Sequence, residues 1–145
     1  MTDLALSAQE LQEYLCDIYP QTKERFDILH LEPMSIEMLW KTSDDDLRPG
    51  QTLSGPTLFT LADCSFYAIT LAMIGKKALA VTTNISINFM RRSELVDLVA
   101  QTRILKLGQT LCVGDCLISS AQSANPIAHA SITYALPPKQ AILRP

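Results

Sequence analysis

From Gly55 to Ile74 the chain runs twenty residues without a Lys, Arg or His and with a single acid, Asp63. Pro56 sits where a first-turn proline loses no hydrogen bond, and Gly75 supplies a helix stop, so the segment reads as one long helix. It is apolar almost all round. Such a helix cannot rest on a sheet with one side wet; a curved sheet or a second copy of the molecule must wrap it. Its length would suit a membrane span, but Asp63, four Ser/Thr residues and Tyr67 argue against one. The expectation is the central helix of a soluble, cytoplasmic protein.

Asp63 is the residue to explain. No cation lies within eleven positions of it on either side, Arg48 being the nearest upstream. An ionised carboxylate in apolar surroundings is costly unless it finds a partner or does chemistry, and functional sites are where such groups gather.

The remainder of the sequence narrows the class. At 145 residues and 48% apolar content the chain fits one domain, with nothing resembling an interdomain linker. A net charge of −3 argues against a general nucleic-acid binder, and the adjacent pair Arg91-Arg92 is local. The start, with Asp3, Glu10 and Glu13, lacks the basic and apolar segments of a signal peptide. Cys16, Cys64, Cys112 and Cys116 form no C-x-x-C pair and have no His cluster beside them, so they read as free thiols rather than metal ligands.

Ser7 followed by Glu10, with apolar Leu11, Leu15 and Ile18, predicts a capped helix over 7–19 that Pro20 ends. Residues 35–42 alternate as a first strand, and 43–50 form an acidic loop. After Gly75 everything reads as strands. Leu79, Val81, Thr83, Ile85, Ile87 and Phe89 mark one face of a strand, and Ala80, Thr82, Asn84, Ser86 and Asn88 the other. Residues 95–107 and 110–121 predict a hairpin in which Gly108 takes a positive φ. Residues 127–136 give a last strand, stopped by Pro137-Pro138. The pattern is α+β with an antiparallel sheet, its core spanning about 35–138.

Arg48-Pro49-Gly50 leading to Ser54-Gly55-Pro56-x-x-x-x-Leu61-Ala62-Asp63, then the strand Val81-Thr82-Thr83-Asn84 ending in Asn88-Phe89-Met90-Arg91-Arg92, resembles the hotdog-fold acyl-CoA thioesterases. Within these the phenylacetate-degradation (PaaI-type) branch is the nearest. The resemblance covers roughly residues 35–136. It implies a curved antiparallel sheet around one long helix, homodimers or tetramers of dimers, and hydrolysis of acyl-CoA without metal or organic cofactor.

Carried over residue by residue, the resemblance makes Asp63 the general base or nucleophile. It makes the Gly55 N–H the donor that polarises the thioester carbonyl, aided by the helix dipole. The family usually has His-Gly-Gly where this chain has Ser54-Gly55-Pro56. Ser54 is therefore a candidate for part of the histidine's role, and Pro56 removes one backbone donor.

Spacing adds a constraint of its own. Gly55 and Asp63 lie eight residues apart, roughly 12 Å along a helix at about 1.5 Å per residue. A base and an oxyanion donor must both approach the reacting atoms within about 3 Å. One helix cannot serve both; two antiparallel helices related by a twofold axis can. The expectation is a dimer with two shared sites.

Arg48 is a candidate to steer the thioester or to pair with Asp63, and a solvated loop charge is the alternative reading. Thr82 and Asn84 are candidates for contact with water or the acyl group, although inter-subunit hydrogen bonding would use the same residues. Arg91 and Arg92, with Lys106, are candidates to hold the coenzyme A phosphates. Leu58, Phe66, Tyr67 and Met73 would line an acyl pocket or simply pack the core. His30 and His129 read as structural. Two other functions stay open: a dehydratase or hydratase of the same fold, which would need a histidine beside the acid, and an acyl-CoA or acyl-carrier binder without turnover.

Overall fold

The structure, a computed structural model, describes residues 3–138. Helix α1 (Ala8–Ile18) carries the expected capping box, Ser7 accepting from the Glu10 N–H while the Glu10 carboxylate accepts from Ser7. Leu11 and Leu15 seat it on the core, and a 3₁₀ turn (Pro20–Thr22) follows. Strands β1 (Phe26–Glu32) and β2 (Ser35–Trp40) form a hairpin. A second 3₁₀ turn (Asp44–Asp46) leads into a two-stranded ribbon, β3 (Leu47–Arg48) and β4 (Thr52–Leu53). Helix α2 (Gly55–Ile74) comes next, then β5 (Val81–Phe89), β6 (Leu98–Leu107), β7 (Leu111–Ser120) and β8 (Pro126–Ala135).

Six strands make one antiparallel sheet in the order β1-β2-β6-β7-β8-β5, and α2 packs against five of them. This is the hotdog architecture. Thirteen of the twenty α2 residues are buried, so the sheet supplies the cover that an all-round apolar helix requires. At Gly114 the helix and the neighbouring strand leave no room for a side chain: any Cβ would collide with the Arg103 carbonyl and the Phe66 ring.

Three expectations need correction. The strand at 35–42 is the second, not the first. Its partner β1 was missed because residues 26–32 are mostly exposed and a bulge between Ile28 and His30 breaks their period of two. Gly108 does not adopt a positive φ. Its constraint is instead the Leu111 carbonyl oxygen, 3.0 Å from where a Cβ would stand.

The third correction bears on the site. A bulge between Thr82 and Asn84 shifts the β5 register against β8, so Thr82 faces Tyr134 while Ile85 faces Ile132. Cross-strand partners share a face. Thr82 therefore points inward with Ile85, Ile87 and Phe89, and Asn84, opposite Thr133, points outward. The simple alternation placed Thr82 and Asn84 together; the extra residue separates them.

Candidate functional site

The start of α2 is held by a relay of hydrogen bonds. The Ser54 hydroxyl accepts from the Thr57 N–H (3.3 Å) and lies 3.0 Å from the Thr57 hydroxyl, which donates to Asp46 Oδ1 at 2.8 Å. Asp46 Oδ2 accepts from Arg25 and from the Ser43 N–H, both at 2.8 Å, and the Asp46 carbonyl accepts from the Ser54 N–H at 2.8 Å. Burial pushes the Asp46 carboxyl up, but the donors from Ser43, Thr57 and Arg25 together bring it below its usual range.

The first-turn donors can then be accounted for one by one. Pro56 has none, the Thr57 N–H goes to the Ser54 hydroxyl, and the Leu58 N–H goes to the Ser54 carbonyl at 3.3 Å. The Gly55 N–H has no hydrogen-bond partner among the described residues and lies at the positive end of the helix. Ser54, by contrast, is occupied as the helix cap.

Gly55 opens into a cleft of about 500 Å³ shared with Arg48, Phe89, Arg91 and Arg92. The ribbon β3–β4 brings Arg48 there, and the end of β5 brings the arginine pair. Arg48 thus stands at the helix entrance and makes no ion pair with Asp63. Lys106 and Asn84 line neither this cleft nor the next; Lys106 lies opposite Val113, on the outward face of β6.

Asp63 occupies a separate cleft of about 430 Å³ on the same helix. Its Oδ1 accepts from the Thr82 hydroxyl at 2.7 Å and from the Tyr134 hydroxyl at 2.6 Å. Its Oδ2 receives no hydrogen bond from the described residues. Burial, reinforced by the adjacent Asp63 carboxylate, holds the Tyr134 phenol far above its ordinary range, so it remains a donor. Burial likewise pushes the Cys64 thiol up to about 12, again with Asp63 adding to it, which removes this cysteine as a nucleophile. Cys112 and Cys116 are buried thiols pushed up to about 11 by the same desolvation. No group of three His, Cys, Asp or Glu side chains placed to hold a metal ion occurs among the described residues.

Sequence reasoning missed Tyr134 and Tyr19, both of which line the Asp63 cleft. Tyr134 falls in the period-two pattern of β8 as an inward residue, and a phenol among core positions was the available signal. The predicted separation holds: Gly55 and Asp63 open into different clefts of one chain. Among the described residues, the carboxylate has two donors, both on one oxygen, and the helix entrance has an unpartnered amide and three arginines.

A family model described as "Thioesterase superfamily" matches residues 50–127. No curated protein gives a significant match. Among solved structures, a thioesterase candidate from Silicibacter sp. TM1040 shares 45% identity over 94% of this chain and 96% of its own, with a TM-score of 0.88. At lower identity the fold persists. A phenylacetic acid degradation-related protein of Ralstonia eutropha JMP134 gives 19% identity and a TM-score of 0.75 over 81% of this chain and 90% of its own. A Streptococcus mutans UA159 protein solved with acetyl-CoA gives 24% and 0.71 over 82% and 94%. The sequence match, the fold and the near-full-length relative agree: this chain belongs to the thioesterase superfamily and is a thioesterase of the hotdog fold.

Proposed function

We propose that the protein hydrolyses the thioester of an acyl-CoA with an aryl or short-to-medium acyl group, in two sites shared across a homodimer that can pair further into a tetramer. The observation that carries this reading is the Asp63 carboxylate, fixed through Oδ1 by Thr82 and Tyr134, with Oδ2 free of hydrogen bonds from the described residues. That oxygen is suited to take the proton of an attacking water, or to attack directly. The negative charge that develops on the carbonyl oxygen would be met by the Gly55 N–H of the other protomer. Water is the only co-reactant this scheme requires, so we assign no cofactor.

Strand β5 supports the shared site. It is a sheet edge of nine residues, largely exposed on both faces, with Val81 56% and Phe89 54% accessible. A long, apolar, uncovered edge is a template for pairing with another strand. Its two ends carry Thr82 and the arginine pair, so pairing there would bring parts of both clefts to the same seam. The bound acetyl-CoA of the Streptococcus relative accords with an acyl-CoA substrate. Arg48, Arg91 and Arg92 would meet the phosphates, with Lys106 assigned only a peripheral part.

Hydrolysis is favoured over hydration or dehydration by the placement of the histidines. His129 bonds Asp115 at 3.0 Å on the outward sheet face, and His30 is exposed beside Glu32, so neither reaches Asp63. Thiol release measured over an acyl-CoA panel tests the proposal. Rapid release abolished by Asp63→Ala supports it; tight binding without release would indicate a binder, and addition of water to an enoyl-CoA a hydratase.

A further inference from the structure

The family match begins at residue 50, leaving α1 and its following turn without a role, yet these residues reach the Asp63 cleft. Ile18, Tyr19 and Gln21 line it together with Tyr67 and Val81. We propose that this N-terminal element is the wall of the acyl pocket and that the Tyr19 ring sets how long an acyl chain the enzyme accepts. The proposal rests on the reading of Asp63 as the hydrolytic carboxylate.

Charge partitions the two clefts. The one at the helix entrance carries three arginines and suits the anionic coenzyme portion of the substrate. The one at Asp63 has no Lys, Arg or His in its lining, which sets aromatic and aliphatic side chains beside Gln21 and Thr82. A thioester carbonyl held between the two has its coenzyme on one side and its acyl chain on the other. The cleft without cations is left to the acyl group, and Asp63 would repel a chain ending in a carboxylate.

The Tyr19 backbone is anchored on both sides. Its N–H donates to the Leu15 carbonyl at 2.8 Å, ending α1, and its carbonyl accepts from the Thr22 N–H (3.0 Å) and the buried Thr22 hydroxyl (2.8 Å). Pro20 restricts the chain immediately after it. Leu11 and Leu15, both fully buried, tie the helix to the core. Burial first, then Cys64 and Asp63, raise the Tyr19 phenol above its ordinary range, so it meets the acyl chain as a neutral ring.

The test is a kcat/KM profile over straight-chain acyl-CoAs of increasing length, with phenylacetyl-CoA alongside. Tyr19→Ala should move the optimum to longer chains, changing the long-to-short kcat/KM ratio by about tenfold, in line with what a methylene or two is worth in an apolar pocket. Tyr19→Trp should move it the other way, a reversal that partial unfolding cannot produce, and Tyr19→Phe should leave it in place. An unchanged optimum in both Tyr19→Ala and Tyr19→Trp overturns the proposal while the hydrolytic reading stands. If Asp63→Ala retains full activity, it is the hydrolytic reading that fails.

Discussion

The Tyr134 hydroxyl lies 2.6 Å from Oδ1 of Asp63 and 3.0 Å from the Asp63 carbonyl oxygen, so one phenol on β8 grips both the side chain and the backbone of the same helical residue. The ring is itself fixed, edge-on to Phe66 at 5.2 Å between centroids. Tyr134→Phe keeps that packing and removes the donor. A hydrogen bond to a charged group is worth roughly 1.5–3 kcal/mol, and a barrier change of about 1.4 kcal/mol is tenfold in rate. Steady-state kinetics should therefore show kcat reduced about tenfold or more with KM little altered. In an Asp63→Ala background the same change should have no further effect on turnover. A second loss there would mean that Tyr134 acts through the fold and not through the carboxylate.

The arginines at the helix entrance carry a prediction of a different kind. Arg48, Arg91 and Arg92 are exposed; they share the Gly55 cleft and line no part of the Asp63 one. Replacing them singly by Ala should raise KM for acyl-CoA several-fold and leave kcat within a factor of about two, because phosphate contacts bind ground state and transition state alike. The KM effect should shrink as salt is added, since exposed charges are screened. Equal KM values for wild type and all three variants at low ionic strength would remove these residues from the coenzyme site.

Much of this was legible in the residues. A twenty-residue helix with Ser54, Pro56 and Gly75 as punctuation could be only a wrapped core helix or a membrane span, and one acid inside it marked the site. What the residues hid were places where the local period breaks. The β5 bulge turns Thr82 toward Asp63 and Asn84 away, and no alternation rule contains that extra residue. The three-dimensional relay from Arg25 through Asp46 to Thr57 was equally invisible, because its members lie 21 and 11 positions apart. Tyr134 is 71 positions from Asp63, and nothing in β8 announces which inward residue will meet α2.

Asp46 gives a stability prediction with a definite sign. It is 6% exposed and accepts hydrogen bonds from Ser43, Thr57 and Arg25. Asp46→Asn should lower stability by about 2 kcal/mol at neutral pH, the scale of a hydrogen bond to a charged group left unmade in a buried place. The folded carboxyl titrates below its ordinary value, so its contribution is complete above about pH 4 and fades as pH falls through the lower folded value. Denaturant melts of wild type and Asp46→Asn should thus differ at pH 7, with a gap that narrows as pH falls below about 4. A gap of constant size over that range would show that the ionised form adds nothing.

The proposed sharing of each site between two protomers can be tested without a structure of the assembly. Asp63→Ala removes the carboxylate and leaves the helix entrance intact. Gly55→Val does the reverse: a Cβ at Gly55 already stands 3.4 Å from the Phe89 ring, and the added methyls would fill the space in which a carbonyl oxygen must meet the amide. Each variant alone should be inactive. Co-refolded in equal amounts, they assort at random, and half of the dimers are hybrids. A hybrid has one site built from the sound Asp63 of one protomer and the sound Gly55 of the other, and one site with both halves damaged. The mixture should therefore recover about a quarter of wild-type turnover per protein, with unaltered KM. Were each site built within a single chain, neither protomer of a hybrid would contain a complete set, and thiol release would stay at the background of the separate variants.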